Sequence, residues 1–294
     1  MSKILLLLAL LAAQISPLSG GSFDVQKKVD DLGPVKKTES LGMQITSKSA
    51  IVVDRKTKKV LYEKNPNQRM AMASMTKLMT AIVFLEESKK NLNDRFLVPY
   101  EITVLDGAGI GLESGEEITY KDLLWGALIG SGNDAAEGLA LTLDNRKEFI
   151  DKMNEKAKEL GLLDTHFACA SGLDTENHYS TASDMAKILD YALGLKEIKE
   201  AIKVKEFDVN SLNTDLVHHI LNTNRLLRYD YPKMVGGKTG YTDAAGFCLA
   251  SLSSDEKNND ILTVVMNSDL DGNQFQDTKA LVDWTYKNYK WAKL

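Results

Sequence analysis

Residues 69–82 read RMAMASMTKLMTAI, and this polar-to-apolar transition opens a run that stays apolar through Leu85. Met, Ala, Leu and Lys favour helix, and the run is apolar on every side, so the pattern predicts a buried helix from about Ser74 to Ser88. Ser74 and Lys77, at positions i and i+3, would share one helix face with their Cβ atoms about 5–6 Å apart. Because burial lowers the pKa of a lysine, Lys77 can act as a base that makes Ser74 a nucleophile.

Ser-x-x-Lys is a short pattern, and a helix N-cap serine followed by an unrelated lysine is its ordinary origin. A second copy, SDEK at 254–257, lies in a polar turn and carries no expected chemistry. The copy at 74–77 differs in the apolar helix that follows it and in two further motifs downstream.

Composition narrows the class of protein. The 294 residues are 44% hydrophobic, enough for a sizeable core in one large domain or two lobes. The net charge of −5, without a basic stripe, argues against binding of nucleic acid. The four histidines fall in no metal-ligand pattern, so neither a metal nor another cofactor is expected. Cys169 and Cys248 form no disulfide framework; Cys248 is interpreted as a small buried side chain, with a bridge as the alternative.

The N-terminus predicts export. Lys3 precedes an apolar run at 4–13, and small residues follow up to position 22, which is typical of a secretory signal peptide at 1–22. An uncleaved anchor is the alternative, so membrane contact is expected only if this segment is retained. Either way the mature chain is expected to work outside the cytoplasm. Residues 23–45 are polar and are predicted to form a linker.

The predicted elements run from strands to helices and back to strands, with a closing helix. Two capping boxes, TYKD at 119–122 and TASD at 181–184, mark helix starts. The other predicted segments are a hairpin at 48–64, a helix at 148–160, strands at 234–241, 247–252 and 261–266, and a helix at 274–289. Such a chain builds one antiparallel sheet from both ends, with a helical lobe at roughly 90–200 inserted between them.

Two short motifs complete the pattern begun by Ser74. SGN at 131–133 interrupts a predicted helix, so its side chains can project from a turn. KTG at 238–240 lies on a predicted strand and is the only Lys-[Ser/Thr]-Gly in the chain. Each motif alone is more often structural than catalytic, and Ser-x-Asn also matches at 211–213. The three in this order match the set found in penicillin-binding proteins and class A β-lactamases.

The sequence resembles the D-alanyl-D-alanine carboxypeptidases, the low-molecular-mass penicillin-binding proteins of the serine type, over roughly residues 46–294. The matching blocks are ASMTKLMTA at 73–81, SGNDAA at 131–136, HYSTASDMA at 178–186, NTNRLL at 222–227 and GKTGYT at 237–242. The resemblance implies an α+β transpeptidase fold shared with β-lactamases, in which the active site lies between the sheet lobe and an all-helical lobe. Many relatives add a β-rich domain and a C-terminal membrane-binding helix; with the sequence ending at Leu294, we expect neither.

The resemblance and the chemistry together assign catalytic roles. Ser74 is expected to attack the peptide bond of a D-Ala–D-Ala terminus and form an acyl-enzyme, while Lys77 takes the hydroxyl proton. Ser131 is expected to relay that proton to the leaving amine. The developing oxyanion is expected to be bound by the backbone N–H groups of Ser74 and Tyr241.

Four further residues are expected to bind substrate. The Asn133 amide suits the substrate backbone, and Gly240 lets the peptide lie against its strand. Lys238 and Thr239 suit the terminal carboxylate, as a charge and a hydroxyl donor. One position departs from the family pattern: Cys169 stands where the loop is expected to carry an amide.

The expected function is therefore penicillin-sensitive release of the terminal D-alanine from peptidoglycan stem peptides, in cell-wall biogenesis and remodelling. The expected partners are the stem peptide and, as covalent inhibitors, β-lactams. One alternative is a class A-like β-lactamase, which needs a deacylating Glu-x-x-x-Asn that the segment FACASGLD at 167–174 lacks. Another is an inactive penicillin-binding sensor, against which the intact motifs count. His178, a lone histidine beside a helix cap, is expected to be structural.

Overall fold

The structure, a computed structural model, describes residues 33–291. Its strands are β1 (Val35–Lys36), β2 (Ser49–Asp54), β3 (Val60–Lys64), β4 (Arg95–Leu97), β5 (Glu117–Thr119), β6 (Glu206–Asn210), β7 (Val217–Leu221), β8 (Met234–Thr242), β9 (Gly246–Ser254), β10 (Asp260–Ser268) and β11 (Tyr289–Lys290). Its α-helices are α1 (Lys77–Glu87), α2 (Tyr100–Thr103), α3 (Tyr120–Trp125), α4 (Asn133–Ala140), α5 (Arg146–Glu159), α6 (Ala182–Ala192), α7 (Lys196–Ala201), α8 (Arg225–Arg228) and α9 (Asn273–Asn288).

A five-stranded antiparallel sheet in the order β3-β2-β10-β9-β8 forms one lobe. Strands β2 and β3 come from the N-terminal part of the chain and β8 to β10 from the C-terminal part, so both ends of the domain build one sheet, as predicted. Side chains alternate between the faces: Val52 and Val265 pack with α9, whereas Ile51 and Val264 face the helical lobe. Strand β8 is left at an edge.

Helix α1 lies at the centre of the helical lobe. Every residue from Lys77 to Phe84 is buried, as expected of a helix that is apolar on all sides. Helices α4, α5 and α6 pack around it. The α+β class and the sheet with an inserted helical region are therefore as the sequence predicts.

The N-terminal predictions fare differently. The predicted signal peptide, residues 1–22, lies outside the described residues. The predicted linker, 23–45, is described from residue 33, and there β1 pairs with β11. The Lys59 ammonium also donates to the Pro34 carbonyl at 2.8 Å. This part of the segment thus runs along the domain surface, where backbone pairing with β11 holds it. Its polar composition gave no indication of that pairing. Among residues 33–291, no helix combines the length and apolar character needed to cross a membrane.

Capping residues and apolar periodicity predicted most of the helices, but the structure differs from the prediction at one capping box and at two pairs of short strands. The capping box at Thr119 is complete, since its side chain accepts from the Asp122 N–H and the Asp122 carboxylate accepts in return. At Thr181 only half of the box forms, because the Asp184 carboxylate accepts instead from the Asp164 N–H and the Thr165 hydroxyl. The two-stranded sheets β4–β5 and β6–β7 were not predicted from the sequence.

Candidate active site

A cleft of about 810 Å³ runs along the edge strand β8, where the sheet lobe meets the helical lobe. Residues from all three motifs line it, namely Ser74, Ser131, Thr239 and Gly240. The two lysines of the motifs, Lys77 and Lys238, lie beneath this surface with 0% exposure. The surface of the cleft is therefore formed by serine and threonine hydroxyls and by backbone groups, and the two lysine amines lie behind it.

Ser74 lies in a 3-10 turn, Ala73–Thr76, and α1 begins three residues after it at Lys77. The predicted helix start at Ser74 is therefore displaced to Lys77, and the reason lies in Ala73. Its φ of 48° is left-handed backbone, which costs a non-glycine residue about 1–3 kcal/mol and concentrates at functional sites. The turn leaves Ser74 at the cleft surface while Lys77 is buried.

A chain of hydrogen bonds holds this strained turn. The His178 ring accepts from the Ala168 N–H at Nδ1, 3.0 Å away, so the ring proton is on Nε2 and faces the Thr76 hydroxyl at 2.8 Å. Thr76 in turn donates to the Ala73 carbonyl at 2.7 Å. Burial lowers the pKa of His178 to about 4, which keeps the ring neutral. His178 thus supports the nucleophile's turn and is structural, in line with the expectation from sequence.

Lys77 has three partners. Its Nζ atom lies 2.7 Å from Ser74 Oγ, 2.8 Å from Asn133 Oδ1 and 2.7 Å from the Ser171 carbonyl. The amide oxygen and the carbonyl can only accept hydrogen bonds. A neutral amine has two N–H groups, which these two acceptors take, so its lone pair is directed at the Ser74 hydroxyl.

The environment of Lys77 allows a substantial fraction of its amine to be neutral near pH 7. Burial lowers the pKa of Lys77 to about 7, although Cys169, Asp134 and Glu137 each raise it. A base works best when its pKa lies near the operating pH. The proximity of Lys77 Nζ to Ser74 Oγ and the lowered pKa are what a base acting on Ser74 would require.

The second and third motifs are joined beneath the cleft. Ser131 has left-handed backbone, φ 64°, at the end of the π-helical turn Gly126–Gly130, which turns its side chain into the cleft. Lys238 donates to Ser131 Oγ at 2.7 Å and to the Thr239 carbonyl at 3.1 Å. Burial, and secondarily the charge of Lys77, lower the pKa of Lys238 well below its usual range. The Ser131 hydroxyl keeps its own proton for a group in the cleft.

Gly240 lets β8 pass close to the nucleophile. A Cβ atom on Gly240 would lie 2.9 Å from the Met72 carbonyl oxygen and 3.1 Å from the Ser74 nitrogen. Only a residue without a side chain fits this approach, which brings the Ser74 N–H beside the backbone that leads to Tyr241. Both Ser74 and Tyr241 line the cleft, as an oxyanion site built from their N–H groups requires.

Two predicted substrate contacts look different in the structure. The Asn133 amide is engaged at both ends, accepting from Lys77 and donating to the Asp106 carbonyl at 2.8 Å, so it orients the base. Lys238 was predicted to meet the terminal carboxylate, but its ammonium is covered and bonded to Ser131. Neighbouring residues of a strand point to opposite faces, so Thr239 lines the cleft whereas Lys238 lies beneath the cleft surface.

Sequence reasoning missed three groups at the site. The Ser171 carbonyl acts through its backbone, which no residue pattern announces. Thr223 accepts a hydrogen bond from the Thr239 hydroxyl at 2.5 Å, and Arg225 lines the same cleft. The block NTNRLL at 222–227 contains both residues and was the available signal.

The two cysteines are free thiols. Cys169 accepts from the Gly172 N–H at 3.3 Å and lies 3.5 Å from the Leu173 carbonyl. The thiol thus accepts one hydrogen bond and donates another, as a side-chain amide would, in the turn that places the Ser171 carbonyl next to Lys77. Cys248 is buried in β9, and burial raises its pKa to about 12, as suits a small core side chain.

Comparison with known proteins places these features in a family. The sequence profile of the family described as D-alanyl-D-alanine carboxypeptidase, peptidase S11, matches residues 35–270. The chain is 38% identical to the D-alanyl-D-alanine carboxypeptidase DacF of Bacillus subtilis over 87% of its own length, and 32% identical to DacC of Escherichia coli over 84%. The solved DD-transpeptidase of Streptomyces K15 is similar with a TM-score of 0.80 and 27% identity, over 84% of this chain and 100% of that one. The chain spans less than two thirds of the two curated relatives, 65% of DacF and 62% of DacC.

Proposed function

The chain belongs to the D-alanyl-D-alanine carboxypeptidase family, peptidase S11, and we propose that it removes the terminal D-alanine from peptidoglycan stem peptides. The single observation that carries this proposal is the hydrogen-bond set of Lys77, whose Nζ atom lies 2.7 Å from Ser74 Oγ. A serine so activated, on the wall of a cleft along an edge strand, suits acyl transfer from an extended peptide.

Acylation follows from the geometry. The peptide lies against β8, and its scissile carbonyl meets Ser74 Oγ while Lys77 takes the hydroxyl proton. The N–H groups of Ser74 and Tyr241 bind the oxyanion of the tetrahedral intermediate. When the C–N bond breaks, the proton that Lys77 took from Ser74 passes through the Ser131 hydroxyl to the leaving D-alanine amine, and Lys77 is neutral again; the Lys238 ammonium holds Ser131 in place. The product is an ester between Ser74 and the shortened peptide.

Deacylation regenerates the free enzyme by hydrolysis of the Ser74 ester. A water molecule attacks the ester carbonyl, with neutral Lys77 again available as the base, and Ser74 recovers its proton. The neighbouring loop at 167–174 offers a thiol, a hydroxyl, backbone groups and the Asp174 carboxylate, which is bonded to Thr242, but no glutamate. This supports slow hydrolysis of a bulky β-lactam acyl-enzyme, hence penicillin sensitivity, over the β-lactamase alternative.

The proposed substrate sets the compartment. Peptidoglycan stem peptides lie outside the cytoplasmic membrane, and the predicted signal peptide at 1–22 would bring the chain there. We therefore place its work in the cell envelope, in cell-wall biogenesis and remodelling, with β-lactams as covalent inhibitors.

The test is loss of the terminal alanine, measured as the mass of the shortened peptide, from a synthetic stem peptide that ends in D-Ala–D-Ala. The matched control peptide ends in D-Ala–L-Ala and has the same composition. Steady release from the first peptide only is the expected result. Labelling by penicillin without turnover would favour the inactive sensor, and cleavage confined to cross-linked peptide dimers would make the chain an endopeptidase instead.

A further inference from the structure

We infer that the Arg225 guanidinium receives the terminal carboxylate of the substrate, so that Arg225 determines the specificity for a free C-terminus. This inference rests on the proposed function and names a residue of the same cleft. It replaces Lys238 in the role that the sequence motif alone had given it.

The cation of the third motif is poorly placed for that role. Lys238 is 0% exposed, and its ammonium donates to Ser131 Oγ and the Thr239 carbonyl. Two of the three N–H groups of this ammonium are thus taken, and the third belongs to a side chain that is fully buried. Lys238 is therefore a poorer receptor for the substrate carboxylate than a cation at the cleft surface.

Arg225, by contrast, faces the cleft. Among the cleft-lining residues within 33–291 it is the one cation, and its side chain is 43% exposed. Its guanidinium is fixed on two sides, over the Phe275 ring at 5.6 Å and against Asp271 at 2.8 Å. Asp271 takes one Nη2 donor and is its one hydrogen-bond acceptor in the described part of the chain. Other donors of the planar fork remain for a carboxylate.

Neighbouring hydroxyls extend the same site towards the reacting carbonyl. The Thr239 hydroxyl donates to Thr223 Oγ1 at 2.5 Å, which leaves the Thr223 proton for a further acceptor. Thr223 precedes Arg225 by two residues, and both line the cleft with Thr239. A carboxylate in this corner would meet a hydroxyl donor and the guanidinium together.

The charges elsewhere in the cleft give the peptide a direction. Asp174 and Asp243 line it around the end of β8, where they bond to Thr242 and Tyr241 respectively, and Asp106 lines it on the side of the helical lobe. These carboxylates repel a substrate carboxylate, whereas Arg225 attracts it. The C-terminus of the peptide is therefore directed to the Arg225 corner and away from Asp174.

The experiment compares two peptides, one ending in D-Ala–D-Ala carboxylate and the other in its C-terminal amide. Arg225→Gln should lower kcat/KM for the carboxylate peptide about 10- to 100-fold, the range for a hydrogen bond to a charged group. The amide peptide should lose less than about 3-fold, and Arg225→Lys should recover part of the loss, because it restores charge without the fork. Arg228→Gln is the matched control, on the same short helix but outside the cleft lining. The endpoint of penicillin labelling corrects each variant for folded enzyme.

The outcomes separate the inference from the function on which it rests. Equal losses for both peptides in Arg225→Gln, or no loss for either, would overturn the role of Arg225 while the proposed function stands. A native protein that cleaves neither peptide would overturn both. Selection for the carboxylate that vanishes in Lys238→Ala but survives in Arg225→Gln would return the role to Lys238.

Discussion

The Nζ atom of Lys238 lies 2.7 Å from the Oγ atom of Ser131, so the third motif supports the second from beneath the cleft. The same arrangement occurs on the other side, where Lys77 supports Ser74 at the same 2.7 Å. The hydroxyls of Ser74 and Ser131 are thus each paired with one buried lysine. Burial lowers the pKa of both lysines, that of Lys77 to about 7 and that of Lys238 well below its usual range.

Removal of Lys238 should therefore impair the chemistry itself. Lys238→Ala leaves Ser131 Oγ without its donor, and general acid–base contributions of this kind are worth about 10²- to 10⁴-fold. We expect kcat to fall by that factor for the carboxylate and the amide peptide alike. Lys233→Ala, which removes a half-exposed ion pair with Asp283 and a contact with the Tyr231 ring outside the cleft lining, is the control and should change kcat little. A loss confined to the carboxylate peptide would contradict this account of Lys238.

The acylation rate should depend on pH through Lys77, whose pKa lies at about 7. The base acts when deprotonated, so activity is lost as pH falls through that pKa and reaches a plateau above it. The rate of labelling by penicillin should drop roughly tenfold per pH unit on the acid side. A labelling rate that stays constant from about pH 6 to pH 8 would exclude a base with this pKa.

The turn that carries Ser74 should depend on Thr76. Thr76→Val leaves the buried His178 Nε2–H and the Ala73 carbonyl without the hydroxyl between them. We expect a loss of about 1–3 kcal/mol in the free energy of unfolding, together with slower acylation. Thr103→Val removes the same type of bond, hydroxyl to the carbonyl three residues before, at an exposed site. If denaturation midpoints and labelling rates of the two variants match, the His178 chain does not support the nucleophile.

Penicillin should form a persistent adduct. No carboxylate among residues 33–291 hydrogen-bonds to Ser74, Lys77 or Ser131, so the ester lacks the glutamate-activated water of class A β-lactamases. Intact-protein mass spectrometry should show the adduct long after excess penicillin is removed. Rapid return of the unmodified mass, with release of penicilloate, would support the β-lactamase alternative.

Sequence patterns anticipated the features that depend on residue type and period. The apolar run after Lys77, the capping residue Thr119 and the three C-terminal strands all follow from local propensity. The three motifs marked the residues that the fold brings to one cleft. The α+β architecture was predicted because both strand-rich ends flank a helical middle.

Two kinds of feature could not be predicted from the sequence: the backbone conformation at the site and the burial of individual side chains. The left-handed conformations of Ala73 and Ser131 are imposed by tertiary contacts on residues that disfavour them. The Ser171 carbonyl could come from any residue type. The burial of Lys238 beneath Thr239 depends on how closely two lobes approach, which a strand pattern does not encode, and this is why Arg225 was overlooked as the exposed cation.

The central claim is that Ser74 carries the acyl group, and covalent labelling tests it most directly. The native protein should gain the mass of one penicillin, on the peptide that contains Ser74, and should release D-alanine from the D-Ala–D-Ala peptide. Ser74→Ala should lose both the adduct and the release of D-alanine. Ser254→Ala, in the other Ser-x-x-Lys copy, should retain both. A penicillin adduct or D-alanine release that persists in Ser74→Ala would place the nucleophile elsewhere and contradict the account.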